Sequence, residues 1–448
     1  MTGQKPETAK AFVKRGKAMK LEKTLKKSNW MPVFAIPLIL SLLGSVFLFA
    51  AALIPGDMLW DMSFQSGLEL RREFDGDTSI ALSPAERKAY SQDIYTDSII
   101  IETSYTMGES LDNVILNRIV PGGARPVRLL ELLEGLDEAD ESYSRYWMGF
   151  RMIIRPLLLF MSYYEMRALA GAAVFALLVA AAATTAKRKS VFVGLALALA
   201  FCFMEPWAVC SSLQFSCCFI LMYAFVVFLN CADLKLDERR AFISFCVLGA
   251  VTQFFDFYTY PLMVFAVPCA VLVWGYEGDR LFANIAKLFA AWFGSWLIMW
   301  AYKQLFAAFV SGGAELAATF ESVAFRFGVG GYKDATVSYS VKDAFYRVWN
   351  HISDISLKWA LTAGLLIVLG LFAFSRLRHG RKDRLYGFLA LAALPLLWMA
   401  ATTQPIYIHY WFQYRSLYVC FFALMLYSME ALGLDRKTCP VSRFLWKS

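Results

Sequence analysis

The sequence predicts an all-α polytopic membrane protein with about ten transmembrane helices, and composition and the spacing of apolar runs carry that prediction. Of 448 residues, 58 % are hydrophobic and 16 % aromatic, while only 18 % are charged. A water-soluble fold has no place for so much apolar surface. A bilayer has, because each crossing takes roughly 20 apolar residues with their backbone hydrogen bonds closed inside a helix.

In chain order, a basic tail, 1–30, carries nine Lys and Arg ahead of the first apolar run. That run begins at Met31 and shows no small-residue cleavage site, so it reads as a retained anchor with the tail in the cytoplasm. Crossings are expected at about 31–54, 166–186, 190–207, 212–232, 241–255, 259–276, 284–305, 357–375, 385–402 and 412–433. With the tail inside, the short inner segments hold 26 of the 44 Lys and Arg. Both termini then fall in the cytoplasm, the second tail spanning 434–448. The net charge of +8 marks topology: the basic residues punctuate the ends of apolar runs and form no aromatic-interleaved patch for nucleic acid.

Two outer segments are long enough to fold, 55–165 and 306–356. The first holds ten basic and 19 acidic residues and lacks the Ser/Gly repeats of a disordered linker. Within it 97–107 and 143–163 read as amphipathic helices lying at the interface, and 339–353 has the same character in the second segment. Phe255 to Pro261 reads as a turn between crossings, with Pro261 opening the next helix. The nine cysteines lie mostly in apolar runs, without C-x-x-C or metal-type spacing, and read as packing residues.

Ionisable groups near bilayer depth are costly, which makes each a candidate for chemistry. On the outer side these are Glu205, Asp256, Lys303, His409 and Arg415, joined by the loop acids Asp57, Asp61, Asp93, Asp97 and Glu102. Each has a bland reading beside it. Glu205 is also a solvated turn residue before Pro206, Asp256 also a cap for the helix opening at Thr259 or Pro261, and Lys303 and Arg415 also snorkelling cations in an aromatic belt. Asp75-Gly76-Asp77 has the D-x-D form of metal-dependent sugar-nucleotide enzymes but stands alone in an acidic loop. No P-loop, dinucleotide fingerprint, H-E-x-x-H or G-x-S-x-G occurs.

A cytoplasmic start, one crossing, a long outer loop with interfacial helices, tight hairpins and a second outer loop after the seventh crossing: this layout resembles the GT-C superfamily of membrane glycosyltransferases. The resemblance is architectural and covers most of the chain. It implies transfer of a sugar from a polyprenyl-phosphate carrier to an extracytoplasmic acceptor, with a first-loop acid as base. Carried over, that acid is Asp97, with Asp93, Asp57 and Asp61 as rivals, and Glu205 matches a second acid in the next outer hairpin. The implied catalytic set is Asp97, Glu205 and Asp256. Arg145, Lys303 and Arg415 are the implied cations for the departing phosphate, with Trp147 and His409 completing the substrate-binding set and Tyr258, Trp411 and Tyr414 stacking on sugar faces. No resident cofactor is implied with certainty; a divalent metal held by Glu205 and Asp256 stays open. The implied partners are the polyprenyl-linked sugar and membrane lipid, with no nucleic acid. Three local strings, 143–149, 255–261 and 409–415, are also similar to those of multi-pass bacterial membrane proteins of the form Tyr-Ser-Arg-Tyr-Trp-x-Gly, Phe-Asp-x-x-Thr-x-Pro and His-Tyr-x-Phe-x-Tyr-Arg. In that group His is expected where this chain has Met148. Against the transferase stand a lipid or small-molecule transporter, disfavoured by the scarcity of mid-helix charge, and a non-catalytic scaffold.

Overall fold

A computed structural model describes residues 30–75, 84–327, 339–354, 364 and 381–434. The tail 1–29, Gly76 and Asp77 of the D-x-D string, the expected crossing 357–375 apart from Gly364, and most of the second tail lie outside the described residues. Helices follow one another as α1 Met31–Ala52, α2 Trp60–Phe74, α3 Pro84–Thr106, α4 Leu111–Leu116, α5 Arg125–Leu133, α6 Arg151–Leu157, α7 Tyr163–Arg188, α8 Val191–Cys202, α9 Pro206–Cys210 and α10 Leu213–Cys231. After these come α11 Arg239–Phe255, α12 Pro261–Trp274, α13 Leu281–Val310, α14 Ala314–Arg326, α15 Val341–Asp354, α16 Lys382–Ala401, α17 Thr403–Ile408, α18 Tyr410–Gln413 and α19 Tyr418–Ala431. Among the described residues there is no strand, only an isolated bridge between Ile119 and Glu141.

Five helices, α1, α7, α10, α13 and α16, are long and apolar enough to cross a membrane. Their outward faces carry large apolar side chains: Phe34, Leu43 and Phe47 on α1, Val179 on α7 and Leu397 on α16 are each at least 50 % exposed. Such continuous apolar surface is unstable in water and natural against lipid. The shorter apolar helices α8 and α12 coincide with expected crossings but fall short of full length. The last expected crossing is broken into α18, a 3-10 turn at Tyr414–Leu417 and α19.

α12 is the centre of the bundle. All 14 of its residues are buried, as befits a helix apolar all round, and α10, α11, α13, α16 and α19 surround it. Helix ends obey local chemistry. Ser162 and Glu165 form a reciprocal capping box at the start of α7, whose last turn carries Lys187 and Arg188 against the negative end of the dipole. Pro261 opens α12, where its missing N–H removes no bond.

The first outer segment departs from its expected form. The stretch 143–163 is not an interfacial helix: it is turns and irregular backbone, with Met148 at φ +53°, and before α7 begins at Tyr163 is helical only over the seven residues of α6. Its basic residues go inward. Arg155 donates to the carbonyls of Ala51 (3.1 Å) and Ser104 (2.6 Å), tying the ends of α1 and α3 together, and Arg151 donates to those of Asn113 (3.1 Å) and Val114 (2.7 Å). A guanidinium that satisfies several orphan helix-end carbonyls at once is worth more buried than on the surface. Residues 97–107 form the buried end of the longer α3, with Asp97, Ser98, Glu102 and Thr103 all enclosed. The helix expected at 339–353 is present as α15, burying Ala344, Val348 and Ile352 and exposing Tyr346 and Trp349.

Candidate functional site

The three strings at 143–149, 255–261 and 409–415 converge on one cavity of about 310 Å³. The first string is fixed by backbone pairing. Ile119 and Glu141 exchange both amide bonds (2.9 and 3.0 Å), and Asn117, in a left-handed conformation (φ +55°), donates to the carbonyls of Tyr143 (3.2 Å) and Tyr146 (2.7 Å). That geometry turns Tyr143, Arg145 and Tyr146 to the cavity and sends the next residue, Trp147, into the core.

The second string contributes Phe257 and Tyr258. Asp256 accepts from the amide of Thr259 (3.0 Å), tightening a turn in which Tyr258 takes φ +61°. For a bulky residue that conformation is strained, and such strain concentrates at functional sites. The third string brings His409, Phe412 and Gln413; α14 adds Ser322, Phe325 and Arg326, and α3 adds Tyr95 and Thr96.

The chamber is cationic and aromatic. The Arg145 guanidinium lies 4.3 Å from the Tyr143 ring centre, and that of Arg326 lies 4.8 Å from Tyr258 while donating to the Tyr146 hydroxyl (2.9 Å). Arg125 donates to the Tyr95 hydroxyl (3.3 Å) and to the Val120 carbonyl, with the buried Glu102 carboxylate 3.8 Å behind it. Burial raises Glu102 to about 7 against the pull of Arg125. Burial also pushes the Tyr146 phenol up, but Arg326 and Arg145 outweigh it and the net shift is downward. The His409 ring is held at about 4 by burial and then by the same two arginines, so it is neutral at ordinary pH. Its Nδ1 is buried with no hydrogen-bond partner among the described residues. Against three arginines the lining offers one carboxylate, Glu141. A partly enclosed space with that balance attracts an anion bearing hydroxyls or rings.

Beside the chamber, sharing Arg145, Tyr258, Ser322 and Arg326 as a common wall, lies an apolar cleft of about 180 Å³ between α13, α14 and α16. Trp296 and Trp300 of α13 and Trp398 of α16 line it. Two of its three helices are of membrane length.

Of the residues singled out from sequence, Arg145, His409 and Tyr258 reach this chamber. Asp97 does not. Its neighbours Thr96 and Gln214 line the wall, but its carboxylate is wholly buried, accepting from the Tyr163 hydroxyl (2.8 Å), the Ser212 hydroxyl (3.3 Å) and the amides of Leu213 and Gln214 (both 3.0 Å). It ties α3 to the start of α10, and burial raises its carboxyl to about 6 despite four donors. Its rivals Asp57 and Asp61 are exposed elsewhere, and the Asp93 side chain is outside the described ones.

Glu205 and Arg415 are brought together, but with each other: they form a buried pair at 2.7 Å, and the Tyr414 hydroxyl also donates to Glu205. Asp256 accepts from the Cys218 thiol (3.2 Å) as well as from Thr259, which tightens the turn before α12 rather than capping the helix, whose N-cap is Tyr260. Trp147 donates its indole N–H to the Met299 carbonyl (2.8 Å), and Lys303 is buried beneath it, donating to the Ile115 carbonyl. Neither faces the chamber. Glu205 and Asp256 share no site, and no group of three or more His, Cys, Asp or Glu placed to hold a metal occurs among the described residues.

Sequence reading missed Arg125, Glu141 and Arg326. Ser322 and Arg326 stand one helical turn apart, a spacing that puts both on one face of α14. Glu141 opens the string Glu-Ser-Tyr-Ser-Arg-Tyr-Trp and carried no other signal.

Fold and site together describe a helical protein with membrane-length apolar helices and a cationic, aromatic chamber at their edge. Compared with known proteins, the chain matches no family model, no curated protein and no solved structure.

Proposed function

We propose that this chain is a multi-pass membrane glycosyltransferase of the GT-C kind, moving a sugar from a polyprenyl-phosphate donor to an extracytoplasmic acceptor. In this reading the chain crosses the bilayer about ten times, both termini are cytoplasmic, and the chamber opens on the outer face. The observation that carries it is the union of a three-arginine chamber, holding one carboxylate, with a tryptophan-lined cleft among membrane-length helices. A lipid phosphate has both requirements in one molecule: a charged head needing bidentate donors and a long chain needing an apolar bed.

Here the donor's phosphate lies between Arg145 and Arg326 and its chain runs past Trp296 and Trp300. Glu141 takes the place that sequence reading gave to Asp97. It accepts the proton of the acceptor hydroxyl as the acceptor oxygen bonds the anomeric carbon. The carbon–oxygen bond to phosphate breaks, and the electron pair leaves on the phosphate, whose charge the arginines neutralise. The rings of Tyr143, Tyr146 and Tyr258 supply stacking faces for the sugar.

The test is transfer by the purified full chain in nanodiscs supplied with polyprenyl-phosphate-linked sugars and an extract of envelope lipids. Glu141→Gln is expected to lower turnover by about 10²–10⁴-fold, the usual contribution of a general base, with donor binding retained. Turnover unchanged in Glu141→Gln removes the base. Absence of any polyprenyl phosphate binding removes the transferase.

A further inference from the structure

The chamber has a second apolar neighbour. A space of about 250 Å³ lies among α3, α6, α7 and α10, bounded by Ile100, Ile153, Ala170, Leu213 and Leu221. Its lining is almost wholly apolar, and the half-exposed Ile153 marks its outer edge. Gln214 and Phe257 line both this space and the chamber, so the two meet there.

The two clefts end differently. The tryptophan cleft reaches the chamber at two guanidinium groups, Arg145 and Arg326. The second reaches it at a neutral amide and a ring. The Gln214 side-chain amide donates to the Thr259 hydroxyl (3.2 Å), and behind these two residues sit two buried carboxylates. Asp97 accepts from the Gln214 amide N–H (3.0 Å) and Asp256 from that of Thr259 (3.0 Å). Among the described residues no charged side chain lines this cleft, and in the reading above Arg145 and Arg326 hold the donor's phosphate while Arg125 faces Glu102, so a second anionic head finds no cation of its own. A chain whose head is uncharged and carries hydroxyls fits both the apolar walls and the gate.

We propose that the second cleft holds the acceptor, and that the acceptor is a membrane lipid with a neutral, hydroxyl-bearing headgroup. The proposal rests on the transferase reading above and names the class of its second substrate. Both reactants then enter sideways from the bilayer, their chains in separate clefts and their heads meeting in the chamber. The lipid's hydroxyl gives its proton to Glu141 and its oxygen to the anomeric carbon, and the glycosylated lipid leaves by the cleft it entered. Polyprenyl phosphate leaves by the other.

The experiment is photo-crosslinking of the full chain in phosphatidylcholine nanodiscs. One probe is a diacylglycerol with a diazirine in an acyl chain, the other a polyprenyl phosphate with a diazirine in its isoprenoid chain, and the labelled peptides are mapped by mass spectrometry. The diacylglycerol is expected on 150–154 and 213–221 and the polyprenyl phosphate on 293–300. Ala170→Phe, which fills the second cleft, is expected to cut the diacylglycerol label by about tenfold through lost chain burial and to leave the polyprenyl label unchanged. Competition gives the same reading without a variant: unlabelled diacylglycerol, and not polyprenyl phosphate, clears the label from 213–221. Diacylglycerol that labels 293–300, or a label on 213–221 that neither Ala170→Phe nor competition reduces, overturns the assignment of the second cleft. A polyprenyl probe that labels neither cleft overturns the transferase itself.

Discussion

Asp97 separates a structural carboxylate from a catalytic one, and its surroundings give both sign and size. Replacing it by Ala strands the amides of Leu213 and Gln214 and the hydroxyl of Tyr163, which donate to it at 3.0, 3.0 and 2.8 Å. Each buried, unsatisfied donor costs about 1–3 kcal/mol, so about 3–9 kcal/mol is lost when all three go unmet. The charge acts in the opposite direction. Burial lifts the carboxyl from 3.8 to about 6, so at neutral pH the folded state carries an ionised group at a penalty of about 3 kcal/mol, which the alanine variant escapes. Because the folded value is the higher one, the native state binds more protons between about 4 and about 6, and wild-type stability falls as pH rises through that window. Asp97→Ala lacks this dependence. The expected deficit of the variant is therefore reduced at pH 7.5, to about 0–6 kcal/mol, and larger by about 2 kcal/mol at pH 4. Thermal or denaturant unfolding in detergent, followed at both pH values, measures it. A deficit that shrinks on acidification refutes the reasoning, and so does a variant with full stability and no turnover, which would return Asp97 to the chemistry.

Three further expectations follow from named contacts. Glu205→Gln breaks the buried pair with Arg415 and should cost about 3–5 kcal/mol by leaving a buried guanidinium uncompensated, while Glu205→Gln combined with Arg415→Met should recover much of that; a double-mutant cycle in unfolding midpoints decides it. Trp147→Phe loses the indole bond to the Met299 carbonyl and some packing, and should lower stability by about 1–3 kcal/mol with donor affinity intact; a calorimetric scan and a binding isotherm read the two effects separately. His409 is already neutral at ordinary pH, and its protonation, displaced downward to about 4, should destabilise the fold only as pH drops from about 6.5 toward 4. An acidic-limb titration of wild type against His409→Gln shows this as a wild-type-only loss.

Much of the scaffold was legible because the apolar runs are long and their ends are chemically marked. Met31, Ser212 and Pro261 each open a helix at or within one residue of where composition changes, while α7 starts three residues before the expected 166. The broken last helix was not legible, since Tyr410 to Leu417 reads as continuous helix by hydropathy and is bent by the Glu205–Arg415–Tyr414 cluster from another part of the chain. The first outer segment misled for a related reason. Arginines beside aromatic rings read as an interfacial face, whereas Arg151 and Arg155 are drawn inward by carbonyls contributed by distant helix ends. The three local strings meet at the chamber through Arg145, Tyr258 and His409. The acids did not point there, because burial alone cannot tell a carboxylate that holds a helix start or a turn from one that faces a cavity: that distinction depends on where Leu213 and Thr259 place their amides.

Where a lipid phosphate binds decides the transferase assignment. The most direct measurement is a cryo-EM map of the full chain in nanodiscs with added polyprenyl phosphate. Phosphate density within hydrogen-bond reach of Arg145 and Arg326, with a tail passing Trp296, Trp300 and Trp398, is the predicted result. A phosphate bound elsewhere, or a chamber that stays empty at saturating lipid, contradicts it.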